Sequence, residues 1–150
     1  MIPGIQSSNG RTGPKVRSIM TIDDLQVYSE SMILADDAWR IVSRWDRFER
    51  ETIAKQLVRA ADSVGANIAE GYGRYHYGEK RQFCYYARGS LFEFKAWIEK
   101  AAARGLLGEE ELETSRGRAE RLGKLLNGYV RSLRKAKPRA DTQFPIPDSQ

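Results

Sequence analysis

A chain of 150 residues with 41% hydrophobic residues, 30% charged residues and a formal net charge of +5 has the composition of one folded domain, not of a disordered segment. No apolar run approaches the ~18 residues a membrane span needs, and the first twenty residues lack the compact apolar stretch of a secretory signal, so the expected setting is soluble and cytoplasmic with no membrane partner. The single cysteine, Cys84, excludes an intrachain disulfide and a multi-cysteine zinc site, while the positive charge permits a nucleic-acid or acidic partner without requiring one.

Residues 1–20 are rich in Gly, Ser and Pro without apolar periodicity and read as a flexible arm. The predicted folded unit is 21–136. Its first helix presents Leu25, Tyr28, Met32, Ala35, Trp39 and Val42 in steps of three and four, with Thr21 as cap and Asp24 in the first turn. The second runs from about Glu49 to Glu70 with Ile53, Leu57, Ala60, Val64 and Ile68 on one side, and Gly71 is expected to end it with a positive φ. The third starts near Gly78 and carries Phe83, Ala87, Ser90, Phe94, Trp97 and Ala101 along its seam until Gly105 stops it. The fourth, Glu109 to Ala136, keeps Leu112, Ala119, Leu122, Leu126, Tyr129 and Leu133 in register. Residues 137–150, with Pro138, Pro145 and Pro147, read as a second flexible tail. Four amphipathic helices with short connections predict an all-α, antiparallel up-down four-helix bundle.

Glycines inside these helices, Gly65 and Gly89 among them, cost about 1 kcal/mol each relative to alanine, and close helix contacts would offset that. At roughly 100° per residue, Arg59, Ser63, Asn67, Glu70 and Arg74 fall on one polar line beside the apolar sector of the second helix. Ser90 and Glu93 extend the theme to the third helix. The expected role is a hydrogen-bonded network joining the two helices, with Asn67 bridging them and Glu70 paired to Arg59 or Arg74. Val58 and Gly65 on the second helix and Tyr85 and Phe92 on the third face away from their own seams, which points to a homo-oligomer interface.

Catalysis finds little support. A carboxylate-bridged metal pair needs Glu-x-x-His motifs, and the only histidine, His76, has no glutamate three residues before it. Ser63 and Ser90 have no base at helical spacing, and Gly71-Tyr72-Gly73-Arg74 has too few glycines for a phosphate loop. No catalytic residue, cofactor or metal is predicted. The basic stretch of the fourth helix, above all Arg121, Lys124, Arg131 and Arg134, offers the alternative of RNA or DNA binding, against the simpler reading of a solvated face whose charge suits the helix C-terminus.

The stretches QLVRAADSVGANIAEGYGR from Gln56 and RQFCYYARGSLFEFKAWIEKA from Arg81 resemble the four-helix-bundle family that includes proteins encoded in intervening sequences of bacterial 23S ribosomal RNA genes. The resemblance covers about residues 21–135. It implies an up-down bundle that assembles into a ring-like homo-oligomer, a pentamer. More distantly it is similar to the accessory protein of diversity-generating retroelements, which implies a basic assembly able to bind nucleic acid.

Overall fold

The computed structural model describes residues 21–136; the arm over 1–20 and the tail over 137–150 lie outside the described residues. A 3-10 turn over Ile22–Asp24 leads into α1 (Gln26–Ser43), the short α2 (Arg47–Glu51), α3 (Ile53–Tyr72), α4 (Tyr77–Ala103) and α5 (Glu109–Lys135). Thr21 caps the turn rather than the helix expected: its backbone N–H donates to the Asp24 carboxylate at 2.6 Å. The second predicted helix is two, because the chain bends at Thr52, whose backbone leaves the helical region (φ −115°, ψ −97°).

The long helices pack in a closed square, α1 on α3, α3 on α4, α4 on α5 and α5 on α1. Short connections reverse the chain at each corner, which gives the antiparallel up-down four-helix bundle. Charges on α1 and α5 record the register. Glu30, Asp37 and Arg44, seven residues apart along α1, meet Arg121, Arg118 and Glu111 in reverse order along α5. Each exposed pair contributes only ~0.2–1 kcal/mol, but the ladder disfavours a slipped pairing. At the end of the bundle where α1 finishes, Trp45 is buried and donates its indole N–H to the Leu106 carbonyl at 2.8 Å.

The core contains Leu34, Leu57, Val64, Ile68, Phe94, Leu122 and Leu126. Its phase departs in part from the expected seams. In α1, Ala35 and Val42 are buried as expected, together with Val27, Ser31, Leu34, Ala38 and Ile41, while Met32 and Trp39 are exposed. In α4, Ala87, Phe94 and Ala101 are buried as expected, while Cys84, Leu91 and Ile98 replace Phe83, Ser90 and Trp97. In α5, Ser115 and Val130 are buried, whereas Leu112 and Tyr129 are only partly so.

Two glycines show why small residues are needed. A Cβ at Gly65 would lie 2.8 Å from Ser31 Oγ, so its absence lets α1 and α3 approach closely. Gly71 does not end its helix: it is buried within α3, and a Cβ there would meet the Phe83 Cβ of α4 at 2.7 Å. The helix ends at Tyr72, with Gly73 as C-cap at φ −74°. A Lys80 ammonium reaches back from α4 to the Tyr72 carbonyl at 2.7 Å, satisfying one of the acceptors every helix end leaves open. Gly105 does stop α4, in the left-handed region at φ 73°, where a side chain would be strained.

Candidate functional site

The polar line on α3 resolves into local bonds. Ser63 donates its hydroxyl to the Arg59 carbonyl at 2.7 Å, and Asn67 donates its amide to the Ser63 carbonyl at 2.8 Å. On α4, Ser90 donates to Tyr86 at 3.2 Å, and the Glu93 carboxylate accepts from the Trp97 indole at 3.3 Å. Arg74 pairs with Glu70 at 3.1 Å, and its guanidinium lies 4.9 Å from the centre of the Phe83 ring. The hydrogen bonds therefore stay local, and the Arg74–Phe83 ring contact is what reaches from the line to α4; the expected hydrogen-bonded bridge between α3 and α4 is not built. Its physical reason is the Gly71–Phe83 contact: the helices meet closely enough through small and apolar residues that the polar line is left at the solvent edge.

The basic surface of α5 divides in two. Arg121 faces Glu30 of α1 at 3.4 Å and Lys124 faces Glu120 at 3.4 Å, so both already have carboxylate partners. Arg116 binds Glu99 of α4, with one N–O distance of 2.7 Å, and also Glu113. That contact holds the Glu99 carboxyl below the usual carboxylate range and pushes the guanidinium up. Arg131 and Arg134 stand apart. With Arg88 they line a cleft of about 340 Å³ between α4 and α5, where Arg134 donates to the Tyr85 hydroxyl at 2.7 Å. Tyr85, expected at an interface, thus turns toward α5. Arg88 lies on the other helix, and nothing in its own stretch of sequence marks it as a partner of Arg131.

A larger, apolar groove of about 510 Å³ lies between the C-terminal half of α1 and the N-terminal half of α3. Trp39, Val42, Ala54 and Val58 form its walls, and Arg50, Lys55 and Arg59 its basic rim. Trp39 is 64% exposed, although the sequence pattern placed it in the core. Gly65, expected at an interface, is instead enclosed under Ser31 within the chain, for the reason given by its missing Cβ. On the outer face of α4, Phe92 is 56% exposed, and a Cβ at Gly89 would meet nothing within 4 Å. No packing among the described residues accounts for that glycine.

Reactive groups are poorly placed for chemistry. Cys84 is 1% exposed, and burial pushes its thiol up to about 11 despite the opposing effect of the Lys80 ammonium. Burial likewise pushes the Tyr129 phenol up to about 12. His76 sits exposed in the α3–α4 turn, edge-on to Tyr75 at 5.0 Å. Among the described residues, no group of three or more His, Cys, Asp or Glu side chains is arranged to hold a metal ion, and no helix is long and apolar enough to cross a membrane.

The sequence model of the 23S rRNA-intervening sequence protein family matches residues 23–128, and the chain belongs to that family. A crystal structure of a protein of unknown function from the S23 ribosomal protein family of Bacteroides thetaiotaomicron VPI-5482 superposes with a TM-score of 0.59 at 23% identity, covering 69% of this chain and 97% of that one. At that identity the likeness establishes the shared helical fold. No curated protein matches the chain.

Proposed function

We propose that this member of the 23S rRNA-intervening sequence protein family is a non-catalytic assembly subunit that forms a closed homo-oligomeric ring. One observation carries the reading: the chain leaves open two different apolar surfaces, the Trp39–Val58 groove and the projecting Phe92 face around Gly89. A concave patch and a separate convex one suit head-to-tail contact, which closes into a ring when the rotation permits, whereas a self-complementary patch gives a two-fold dimer. Gly89, held at about 1 kcal/mol below alanine, gains a purpose if a neighbouring helix approaches there. Five subunits is the number the family resemblance implies. The non-catalytic part of the reading is supported by the serine hydroxyls bonded to carbonyls and by the buried, protonated Cys84.

Light scattering after size exclusion tests it. The wild-type chain should run as a multiple of 17.1 kDa, and Trp39→Glu or Phe92→Glu should each run as a monomer. Mixed in equal amounts, those two variants retain one good groove and one good projection between them, so they should form a dimer and nothing larger. A wild-type monomer at micromolar concentration refutes assembly, and variants that do not complement refute the head-to-tail geometry.

RNA or DNA binding is the second reading. It is supported by Arg131 and Arg134, which have no carboxylate partner among the described residues. Arg121 and Lys124 would have to leave theirs. A mobility shift that weakens steeply with salt tests it.

A further inference from the structure

The α4–α5 cleft combines features that the rest of the surface keeps apart. Arg88, Arg131 and Arg134 converge on it with Tyr85 and Asn127, over a floor of Cys84, Leu126 and Val130. No carboxylate lines it. Elsewhere on α5 each of Arg116, Arg118, Arg121 and Lys124 has an acidic partner; among the described residues these three arginines have none. Guanidinium groups stay charged at any accessible pH, so their convergence is repulsive until an anion enters.

The side chains are also held in place. Arg134 is oriented by its 2.7 Å bond to the Tyr85 oxygen, which leaves the Tyr85 O–H free to donate elsewhere. Arg131 folds back over Gly128, where a Cβ would lie 3.7 Å from its Nη2. Arg88 rests over the Phe92 ring, 5.7 Å from its centre. The dipole of α5 accounts for basic residues in its last two turns, but Arg88 lies in the middle of α4 and owes nothing to that effect.

We propose that this cleft is a phosphoryl-binding site, with Arg88, Arg131 and Arg134 on the phosphate oxygens and Tyr85 and Asn127 as neutral donors. One guanidinium saturates a carboxylate through two parallel bonds. Three guanidinium groups with two further donors match a phosphate ester, with its charge of about −1.5 to −2 and three acceptor oxygens. At about 340 Å³ the cleft falls at the small end of ligand sites and takes a phosphate with part of the group it esterifies. The phosphate belongs to a free mononucleotide or to a nucleotide within a strand. In the second case the site deepens the nucleic-acid reading, and in the first it stands without it.

Calorimetric titration with adenosine 5′-monophosphate, with inorganic phosphate and with a short single-stranded RNA distinguishes these sources, with adenosine as the control. At least one phosphate-bearing probe should bind and adenosine should not. Arg88→Gln and Arg131→Gln should each weaken binding about tenfold or more, the loss of a charge-assisted contact, at unchanged helicity and melting temperature. Tyr85→Phe keeps the ring and should weaken binding less. Lys124→Gln, outside the cleft, should change little. Binding of the mononucleotide without the RNA ends the nucleic-acid reading and leaves the site; binding of the RNA alone with the same variant pattern supports both. The proposal is overturned if no phosphate-bearing probe binds at millimolar concentration and low salt. It is equally overturned if Lys124→Gln weakens binding as much as Arg88→Gln.

Discussion

Gly65 and Ser31 form a contact whose energy is separable by a double-mutant cycle. Ser31 is 0% exposed and donates its hydroxyl to the Tyr28 carbonyl at 2.6 Å, so Oγ has little freedom to retreat from a Cβ placed 2.8 Å away. Gly65→Ala gains about 1 kcal/mol of helix propensity but incurs ~1–3 kcal/mol of overpacking, and should lose up to ~2 kcal/mol net. Ser31→Ala removes a bond to a carbonyl of its own helix and should cost ~0.5–1.5 kcal/mol. In the double variant the nearest atoms to the new methyl are Met32 Sδ at 3.5 Å and the residue 31 Cβ at 3.7 Å, both ordinary contacts. The clash disappears while the propensity gain remains, so the double variant should be ~1–3 kcal/mol more stable than the sum of the singles. Urea unfolding of all four proteins at one protomer concentration measures this, since assembly makes stability concentration-dependent. Additivity within ~0.3–0.5 kcal/mol, as for unconnected sites, would refute the close-approach explanation of Gly65.

Gly89→Ala should raise helix stability by up to ~1 kcal/mol in a monomeric Phe92→Glu background, yet reduce oligomer size in the wild-type background, as read by unfolding and light scattering. Asn67→Ala should shift the melting temperature little, because its amide bonds a carbonyl of its own helix and its loss strands no partner on α4. Burial, then the facing Asp36, push the Asp62 carboxyl above its ordinary 3.8. Its ionised form therefore disfavours folding, so Asp62→Asn should raise the melting temperature at pH 7, with the gain lost as pH falls through the raised folded value toward 3.8. Cys84, protonated until about 11 against an ordinary 9.0, favours the folded state below pH 9 and loses that contribution as pH rises toward 11. Its labelling by a thiol reagent at pH 8 should proceed at the rate of unfolding in urea.

The helices were legible because apolar residues recur at helical spacing over long stretches, and Gly105 marks the end of α4 as a left-handed stop should. The phase of the faces was less so. α1 carries two apolar lines, and sequence reasoning favours the one with the larger residues, Met32 and Trp39. The fold buries the other because Ser31 and Ala38 let α3 come near. In α4 the one-residue offset from Trp97 to Ile98 has a polar cause: an indole N–H needs an acceptor, and at the margin of the core Glu93 supplies it. Gly71 misled for a related reason, since a glycine near a helix end reads as a stop when its use here is contact with Phe83. The arginine cleft was half legible: Arg131 and Arg134 lie on one helix at spacing three, but Arg88 joins them only through the packing of α4 on α5.

That packing also arranges the charges of α5. Toward α1, α5 presents Arg121 and Arg118 to Glu30 and Asp37, and these charges set register while cancelling one another. Toward α4 the acidic partner is Glu99, at the end of the bundle near the α4–α5 turn, where Arg116 occupies it. Further along, from Arg131 onward, α4 offers Tyr85 and Arg88 instead of a carboxylate. Arginines without a carboxylate partner therefore gather in the α4–α5 cleft, and basic residues also form the rim of the Trp39 groove. The rim faces an apolar cavity that an aromatic side chain would fill, and the exposed Phe92 is such a side chain on this chain. In the cleft the donors outnumber the apolar walls. Two basic sites of similar charge thus call for different occupants, a protein surface at one and a small oxyanion at the other, because the surroundings rather than the arginines decide what each can hold.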